Sequence, residues 1–338
     1  MKAAILKTKP GARFHFGEYA PFMETFLHHT SSFPHSDTIF SALVNLYASV
    51  WPEDTKRLIA LFVEGKVRIS SGLFCFEGNK DYLFFFPKPV FYTVHAEDWR
   101  KKIKKLEWVS KGIWARGLEP LDDTFLIDNR FICLQDEWNS IHSDKPDGFI
   151  PYKTLTRPQV QVHTETTEDN LYHQTDVVIG GGRGLKVHYY ILIDDDQLPD
   201  QDKKWVTALF NMLTDTGLGG QRSTGCGLFD DIHWVNVSIP VSDNADHFVN
   251  LSLLSPNESS LNQYLSYKLV IRGGRINERE QMKKLRMICE GALLGSDVKG
   301  RIVDLSTKGN ARYLRYGMSI NLPVHYELSE TENKNENQ

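Results

Sequence analysis

The order of strand-like and helix-like segments in the first 239 residues most restricts the fold of this 338-residue chain. Residues 2–8, 67–86 and 228–239 carry strand signals, and the middle region holds several in a run. A helix is predicted by apolar residues at intervals of one, three and four, namely Ile39, Phe40, Leu43, Leu46, Tyr47 and Val50. A further helix is predicted over about 203–216. This order is that of a βαββαβ unit, whereas a doubly wound nucleotide-binding fold needs strands that alternate with helices throughout.

Two local signals refine this scheme. Ser36 and Asp37 precede the first helix, and each can accept a hydrogen bond from the free amides at its start. Residues 177–179 and 186–193 are predicted to pair as a hairpin around the glycines at 180–184. Those glycines superficially suggest a dinucleotide-binding loop, but no helix follows them, so a flexible hairpin tip is the preferred interpretation.

The sequence changes character near Pro240. Residues 240–263 are rich in Ser, Asn, Asp and Pro, and strand signals then return in four segments, at 267–271, 284–294, 299–305 and 314–324. The last ten residues, 329–338, contain no apolar side chain and predict a disordered tail. We therefore predict one domain over 1–239, with an insertion at about 108–183, and a second over 240–328.

Composition excludes some functions and leaves others open. The net charge of −4 argues against a free-standing, non-specific nucleic-acid binder, which is usually basic overall. It still allows a locally basic groove on a subunit whose other faces meet protein partners. No run approaches the roughly 18 apolar residues that a membrane span needs, so no membrane association is expected. The four scattered cysteines form no CxxC pair and are typical of reduced thiols in a cytoplasm, namely Cys75, Cys133, Cys226 and Cys289.

A glycine-rich loop at 217–227 is the strongest functional motif, with five glycines in eleven residues. Such a backbone can turn with positive φ and approach another chain closely, and its exposed amides can bind phosphate oxygens. Four side-chain donors or acceptors lie between the glycines, namely Gln221, Arg222, Ser223 and Thr224. A nucleotide-binding P-loop would need a lysine and a following helix, so an ATP site is disfavoured.

Histidines and a second hairpin supply further candidates. No histidine has the spacing of a metal site, and no cofactor is expected. His35 lies just before the first helix, where it could act as a general base on a ribose 2′-hydroxyl or simply make a hydrogen bond in a loop. Residues 157–173 resemble a projecting β-hairpin with Arg157 near its base, of the kind that can lie against nucleic acid or a neighbouring subunit.

Several motifs together resemble the RAMP superfamily of CRISPR proteins. They are Phe14-His15-Phe16-Gly17, the helix start at 35–43, Phe85-Phe86-Pro87-Lys88-Pro89, the glycine-rich loop, and the C-terminal segments 299–304 and 315–317. Within the superfamily the chain most resembles the type III-A (Csm) effector subunit that caps the 5′ handle of the crRNA. The resemblance covers nearly the whole chain except residues 110–150.

The resemblance implies an α+β fold with two ferredoxin-like (RRM-like) domains and an inserted β-hairpin region. It also implies a protein without a metal and without nuclease activity, which binds the repeat-derived crRNA 5′ handle and contacts two proteins, the large polymerase-like subunit and a backbone RAMP subunit. The residues carried over as RNA-binding, and expected near one cleft, are His15, His35, Lys88, Arg157, Gly219, Gly220, Gln221, Arg222, Ser223, Thr224 and Gly225.

Two other functions stay open at this point. One is a metal-independent RAMP endoribonuclease that processes CRISPR repeat RNA, with His35 or His15 as base and Arg222 or Lys88 stabilising the phosphorane. The other is a structural subunit that contacts only protein.

Overall fold

A computed structural model describes residues 1–19, 27–79, 81–92, 97–118, 123–161, 170–239, 244–274, 282–306 and 313–326. The helices of these residues are α1 Ser36–Val50, α2 Thr55–Val63, α3 Glu97–Lys105, α4 Lys111–Ala115, α5 Gln135–Ile141 and α6 Asp200–Thr216. Short 3-10 helices cover Pro52–Asp54, Arg222–Thr224 and Glu258–Gln263. No helix among the described residues has the length and apolar character that a membrane crossing requires.

The strands of the described residues up to residue 239 are β1 Lys2–Lys7, β2 Arg13–Phe14, β3 Phe16–Gly17, β4 Thr30–Ser31, β5 Arg68–Ile69, β6 Leu73–Gly78, β7 Asp81–Pro87, β8 Trp108–Ser110, β9 Thr124–Ile127, β10 Phe131–Leu134, β11 Tyr152–Gln161, β12 Asn170–Ile179, β13 Gly181–Gly182, β14 Leu185–Asp194 and β15 Asp231–Asn236. Those after it are β16 His247–Asn250, β17 Tyr264–Ser266, β18 Leu269–Arg272, β19 Leu285–Ile288, β20 Leu293–Leu294, β21 Val303–Asp304, β22 Leu314–Arg315 and β23 Asn321–Val324.

The main sheet contains the βαββαβ unit that the sequence predicts. Its neighbouring strands run β15-β1-β14-β6, so the unit's fourth, first, third and second strands lie side by side. All three pairings in this order are antiparallel. The two long helices, α1 and α6, follow the first and third strands of the unit and pack against each other. The mixed α+β class is therefore as predicted, whereas the number of ferredoxin-like domains stays a prediction.

The inserted region extends this sheet and adds a second one. β7, which precedes the predicted insertion, pairs with β6, and β8, β10 and β9 of the insertion continue the main sheet beyond it. β11 and β12 form a long antiparallel hairpin, and β12 also pairs with β2. The hairpin predicted for residues 157–173 therefore exists and is longer than expected, although residues 162–169 lie outside the described residues.

Two local predictions are wrong. Residues 177–179 and 186–193 do not pair, because β12 pairs with β11 and β2 whereas β14 pairs with β1 and β6. Only Gly181 and Gly182 fold back on β14. Ser36 and Asp37 do not cap α1 through their side chains. Ser36 instead accepts a hydrogen bond from the amide of Leu253 at 3.1 Å, and Asp37 is engaged by arginines described below.

The C-terminal part forms a four-stranded sheet in the order β17-β20-β16-β23 and two smaller strand pairs. It shares a core with the first 239 residues, because Tyr316 is fully buried and its ring lies 5.3 Å from Phe40 and 5.9 Å from Phe62. Its hydroxyl also accepts the amide hydrogen of Ile69 at 3.0 Å. The domain boundary at 240 and the disordered tail at 329–338 both fall in residues outside those described.

Candidate nucleic-acid interface

The glycine-rich loop leaves α6 and is held against the segment that contains β2 and β3. The amide of Gly220 donates to the His15 carbonyl at 2.8 Å, and the amide of Gly227 donates to the Arg13 carbonyl at 2.7 Å. Gly219 has φ +94°, and a Cβ there would lie 2.6 Å from the His15 carbonyl oxygen. Only glycine permits this close approach of the two backbones.

The tip of the loop presents hydrogen-bond donors that the described protein does not use. Within the described residues, no hydrogen bond is donated by the amides of Gly219, Gln221, Arg222 and Ser223. The side chains of residues 222–224 are exposed, and the Arg222 guanidinium donates a hydrogen bond to the Thr216 carbonyl at 3.2 Å. Unused amides next to a guanidinium are suited to binding the oxygens of a phosphate.

These donors open onto a groove of about 810 Å³ between the loop, α1 and the C-terminal part. The charged side chains among its described lining residues are three arginines, Arg222, Arg272 and Arg315, and the lining contains no carboxylate. His15 lines the same groove. Although the net charge of the chain is −4, the described charged side chains that line this groove are therefore all arginines.

One wall of the groove is the polar side of α1. Its lining residues recur at helical spacing and are uncharged, namely Thr38, Ser41, Ala42, Asn45 and Ser49. The opposite side of the same helix carries the buried apolar residues that anchor it to the core. Hydroxyl and amide groups on this wall can donate hydrogen bonds to an anion without adding negative charge.

The C-terminal wall is built on one buried carboxylate. Asp37 accepts hydrogen bonds from Arg272, through Nε at 3.0 Å and Nη2 at 2.9 Å, and from Arg315 through Nη1 at 2.7 Å. All three side chains are buried. Burial alone would raise the pKa of Asp37, but the two guanidinium groups hold it well below its usual range. This cluster joins the start of α1 to the C-terminal part.

His35 and Lys88 line a different groove from the glycine-rich loop. This second groove, of about 900 Å³, also contains Glu290 and Glu18. His35 Nδ1 lies 2.8 Å from Glu290 Oε1, and Nε2 lies 3.8 Å from Glu18 Oε1. Burial opposes the charged imidazole, but the two carboxylates offset it and raise the pKa of His35 to about 9. His35 is therefore a protonated, ion-paired side chain at neutral pH.

Lys88 is half-buried, and its Nζ donates to the Ile103 carbonyl at 2.8 Å. Burial, followed by the charge of Lys268, lowers its pKa. The structure therefore places His15 beside the loop and places His35 and Lys88 in the neighbouring groove, so the expectation of one common cleft is only partly met.

Arg157 lies in the middle of β11, opposite Gln174, and not near the base of the hairpin as predicted. Its guanidinium is hydrogen-bonded to the buried Asp176, which also accepts from Gln174 at 2.8 Å. Arg13 lies 3.9 Å from the same carboxylate and donates to the Thr224 carbonyl at 3.4 Å. Arg157 therefore supports the surroundings of the loop through a buried ion pair.

Sequence reasoning missed the residues that complete the groove. Arg272 and Arg315 carried no local motif that marked them as a pair, since their proximity depends on strand packing in the C-terminal part. The polar side of α1 left a detectable signal, because an exposed helix face is usually charged and this one is not.

Comparisons with known proteins agree with this fold. The CRISPR Csm4 C-terminal domain family model matches residues 243–324. The chain is 25% identical to a Csm4 protein from Methanocaldococcus jannaschii over 353 residues, covering 92% of this chain and 90% of the relative. It is 24% identical to a Csm4 protein from Thermococcus onnurineus over 269 residues, covering 79% of this chain and 83% of that protein.

Solved structures have the same fold over nearly all of the chain. A chain of a Csm3–Csm4 subcomplex in the type III-A CRISPR-Cas interference complex superimposes with a TM-score of 0.69 at 22% identity, covering 96% of this chain and all of that one. A chain of a Csm1–Csm4 cassette crystallised with cA4 gives a TM-score of 0.58 at 18% identity, covering 97% of this chain and all of that one. Residues 243–324 thus match the Csm4 C-terminal domain family, and the chain is similar to Csm4 proteins along most of its length, which agrees with the resemblance predicted from the sequence.

Proposed function

We propose that this chain is a non-catalytic RNA-binding subunit of a type III-A CRISPR (Csm) effector complex. In this role it binds the repeat-derived 5′ handle of the crRNA and links the large polymerase-like subunit to the backbone RAMP subunits in antiviral defence. The observation that carries the proposal is the groove lined by the glycine-rich loop, three arginines and no carboxylate among its described lining residues.

The groove suits a single strand of RNA for electrostatic reasons. Phosphates of a single strand are held by amides and by Arg or Lys, whereas sequence is read from unstacked bases. The loop supplies unused amides at Gly219, Gln221, Arg222 and Ser223 in the described structure. The polar side of α1 supplies hydroxyl and amide groups next to them.

Partners are proposed from the relatives. One similar structure is a Csm3–Csm4 subcomplex and another is a Csm1–Csm4 cassette. We propose equivalent neighbours for this chain, a backbone subunit and a large subunit. We also propose that the C-terminal part, with its four-stranded sheet, is the second of two ferredoxin-like domains.

The state of the histidines supports binding without cleavage. A general base must be unprotonated near the working pH and must reach the hydroxyl it activates. His35 is buried, paired with Glu290, and has a pKa of about 9, so it is protonated at neutral pH. His15 is buried too, with Nδ1 at 2.7 Å from the Thr175 carbonyl. The endoribonuclease alternative would need one of these side chains to be displaced.

The test is to co-express the tagged full chain with the large subunit, a backbone subunit and a CRISPR array, and to sequence the RNA that co-purifies. We expect crRNA that keeps its 5′ handle. Filter binding then compares handle RNA with RNA of scrambled 5′ sequence. Arg222→Ala should weaken binding of handle RNA by about tenfold, since a hydrogen bond to a charged group contributes roughly 1.5–3 kcal/mol.

Arg116→Ala is the matched control, because Arg116 is an exposed arginine that lies outside the groove and contacts Asp123 at 3.2 Å. Equal RNA affinities of the two variants would refute the proposed site. Cleavage of repeat RNA in the absence of metal, abolished by His35→Ala, would refute the non-catalytic role.

A further inference from the structure

The arginine pair on the C-terminal wall has more positive charge than its buried partner neutralises. Arg272 and Arg315 are 6% and 7% exposed, and both are hydrogen-bonded to the single carboxylate of Asp37. A buried charge is costly unless it is paired and hydrogen-bonded. Among the described residues, Asp37 is thus the one carboxylate that is hydrogen-bonded to either guanidinium, while Glu18 and Glu290 act on Arg272 through their charge alone.

The other charged groups nearby face a different direction. Glu18, His35 and Glu290 line the neighbouring groove, where protonated His35 is paired with Glu290. Arg272 and Arg315 line the groove of the glycine-rich loop, which has no carboxylate among its described lining residues. The two guanidinium groups thus line the groove of the glycine-rich loop, whereas Glu18 and Glu290 line the second groove.

Some donors of the two arginines make no hydrogen bond to the residues that the structure describes. Nε of Arg315 is buried and makes no hydrogen bond within the described structure. Nε and Nη2 of Arg272 are used by Asp37 and Thr38, whereas Nη1 donates to no described residue. A guanidinium has five N–H donors in a planar fork that matches the oxygens of a phosphate.

We propose that Arg272 and Arg315 form a second phosphate-binding subsite, which takes a phosphodiester group of single-stranded RNA. The RNA is then held by two segments that are far apart in the sequence, the loop at 217–227 and the C-terminal domain. A bound phosphate adds negative charge on the groove side of the two arginines and strengthens the junction between the two parts. This inference rests on the proposed RNA-binding function and adds the subsite to it.

The test measures the affinity of the full chain for handle RNA at several salt concentrations. For single strands the slope of log affinity against log salt falls by about 0.7 for each phosphate that the protein no longer neutralises. Arg315→Gln should weaken binding by about tenfold and lower the slope by about 0.7. Arg315→Lys should keep the slope and lose only part of the affinity, because it keeps the charge and loses the planar fork.

Arg68→Gln is the matched control. Arg68 is also a mostly buried arginine at the junction, since it is ion-paired with Asp194 and donates to the Ser319 carbonyl at 3.2 Å, but it does not line the groove. We expect Arg68→Gln to lower the melting temperature without changing the salt slope. If Arg315→Gln behaves in the same way, the arginine pair is only a structural junction and the inference is wrong.

Two further outcomes separate the possible failures. If Arg315→Gln fails to fold, Arg315→Lys decides, because affinity and RNA-induced thermal stabilisation equal to the wild type would overturn the subsite. If Arg222→Ala lowers affinity and the Arg315 variants do not, the subsite alone is refuted. If substitutions at neither position affect RNA binding, both the subsite and the proposed function are refuted.

Discussion

The protonated state of His35 can be tested through the pH dependence of stability, with Glu290→Gln as the perturbation. His35 Nδ1 lies 2.8 Å from Glu290 Oε1, and both side chains are buried. The replacement removes the carboxylate charge, while an amide oxygen can still accept the hydrogen bond that Ser71 donates to Glu290. With the negative charge removed, burial should disfavour the imidazolium, and the pKa of His35 should fall.

The size of the expected change in stability follows from the difference between the pKa of His35 in the folded protein and in the unfolded protein. The pKa of His35 is raised from its ordinary 6.5 to about 9 in the folded protein. Since one pKa unit corresponds to about 1.4 kcal/mol, protonated His35 contributes roughly 3 kcal/mol to the free energy of unfolding. Because the folded pKa is the higher one, this contribution is complete below pH 6.5 and is lost as the pH rises through 9. Between pH 6.5 and 8.5, about 2 kcal/mol should disappear.

The assay is urea unfolding of the wild type and of Glu290→Gln at intervals from pH 6 to 8.5. Other groups also titrate in or near this range. Burial lowers the pKa of His188, which gives the opposite slope, and burial raises the pKa of Cys75, which destabilises the fold only at higher pH. When the unfolding free energy of Glu290→Gln is subtracted from that of the wild type, both effects cancel and the contribution of the pair of His35 and Glu290 remains.

We expect the difference in unfolding free energy to shrink by about 2 kcal/mol across the range. Parallel curves for the two proteins would refute the reasoning, since His35 would then be neutral throughout. A neutral His35 could accept a proton from a ribose hydroxyl, and the main physical objection to the endoribonuclease alternative would be lost.

Two other substitutions test the groove. Asn45→Asp places a negative charge on the polar side of α1 and should weaken RNA binding several-fold in filter binding, whereas Gln201→Glu, at an exposed position of α6 outside the groove, should not. Equal effects would argue against the groove as the binding surface. Gly219→Ala should lower the melting temperature and the RNA affinity more than Gly225→Ala does. A Cβ at position 219 would lie 2.6 Å from the His15 carbonyl oxygen, whereas a Cβ at position 225 would meet no atom within 4 Å. Both glycines have positive φ, so backbone strain of roughly 1–2 kcal/mol is common to the two variants and the contact alone differs between them.

Local periodicity was enough to predict the elements that build the βαββαβ unit. The apolar spacing from Ile39 to Val50 matches α1, and the segment predicted at about 203–216 matches α6 apart from its first residues. The hairpin predicted at 177–193 failed because strand pairing is decided by distant partners. β12 finds its partner in β11 through a ladder of ten residue pairs, and no local pattern contains that information.

The insertion was unreadable for a related reason. Its elements α4, β9, β10 and α5 are four to seven residues long, which is too short for a periodic signal to stand out. β16 was missed because it follows a polar stretch, and its pairing with β20 and β23 spans more than forty residues in sequence.

One part of the site, the glycine-rich loop, could be predicted from the sequence, whereas the arginines that complete the groove could not, and the reason is physical. A glycine-rich loop with polar residues between its glycines is a local feature, and the structure places it on an open groove. The polarity of that groove is a property of three arginines at 222, 272 and 315, which no local window contains. The net charge of −4 argues against a free-standing, non-specific nucleic-acid binder, yet net charge averages over surfaces that never meet the ligand. The proposed subsite depends instead on the local charge around Asp37, where two guanidinium groups share one carboxylate at the wall of a groove without acidic residues among its described lining. If a strand occupies that groove, removing charge at position 315 must change the salt dependence of binding, whereas removing it at the mostly buried position 68 must not.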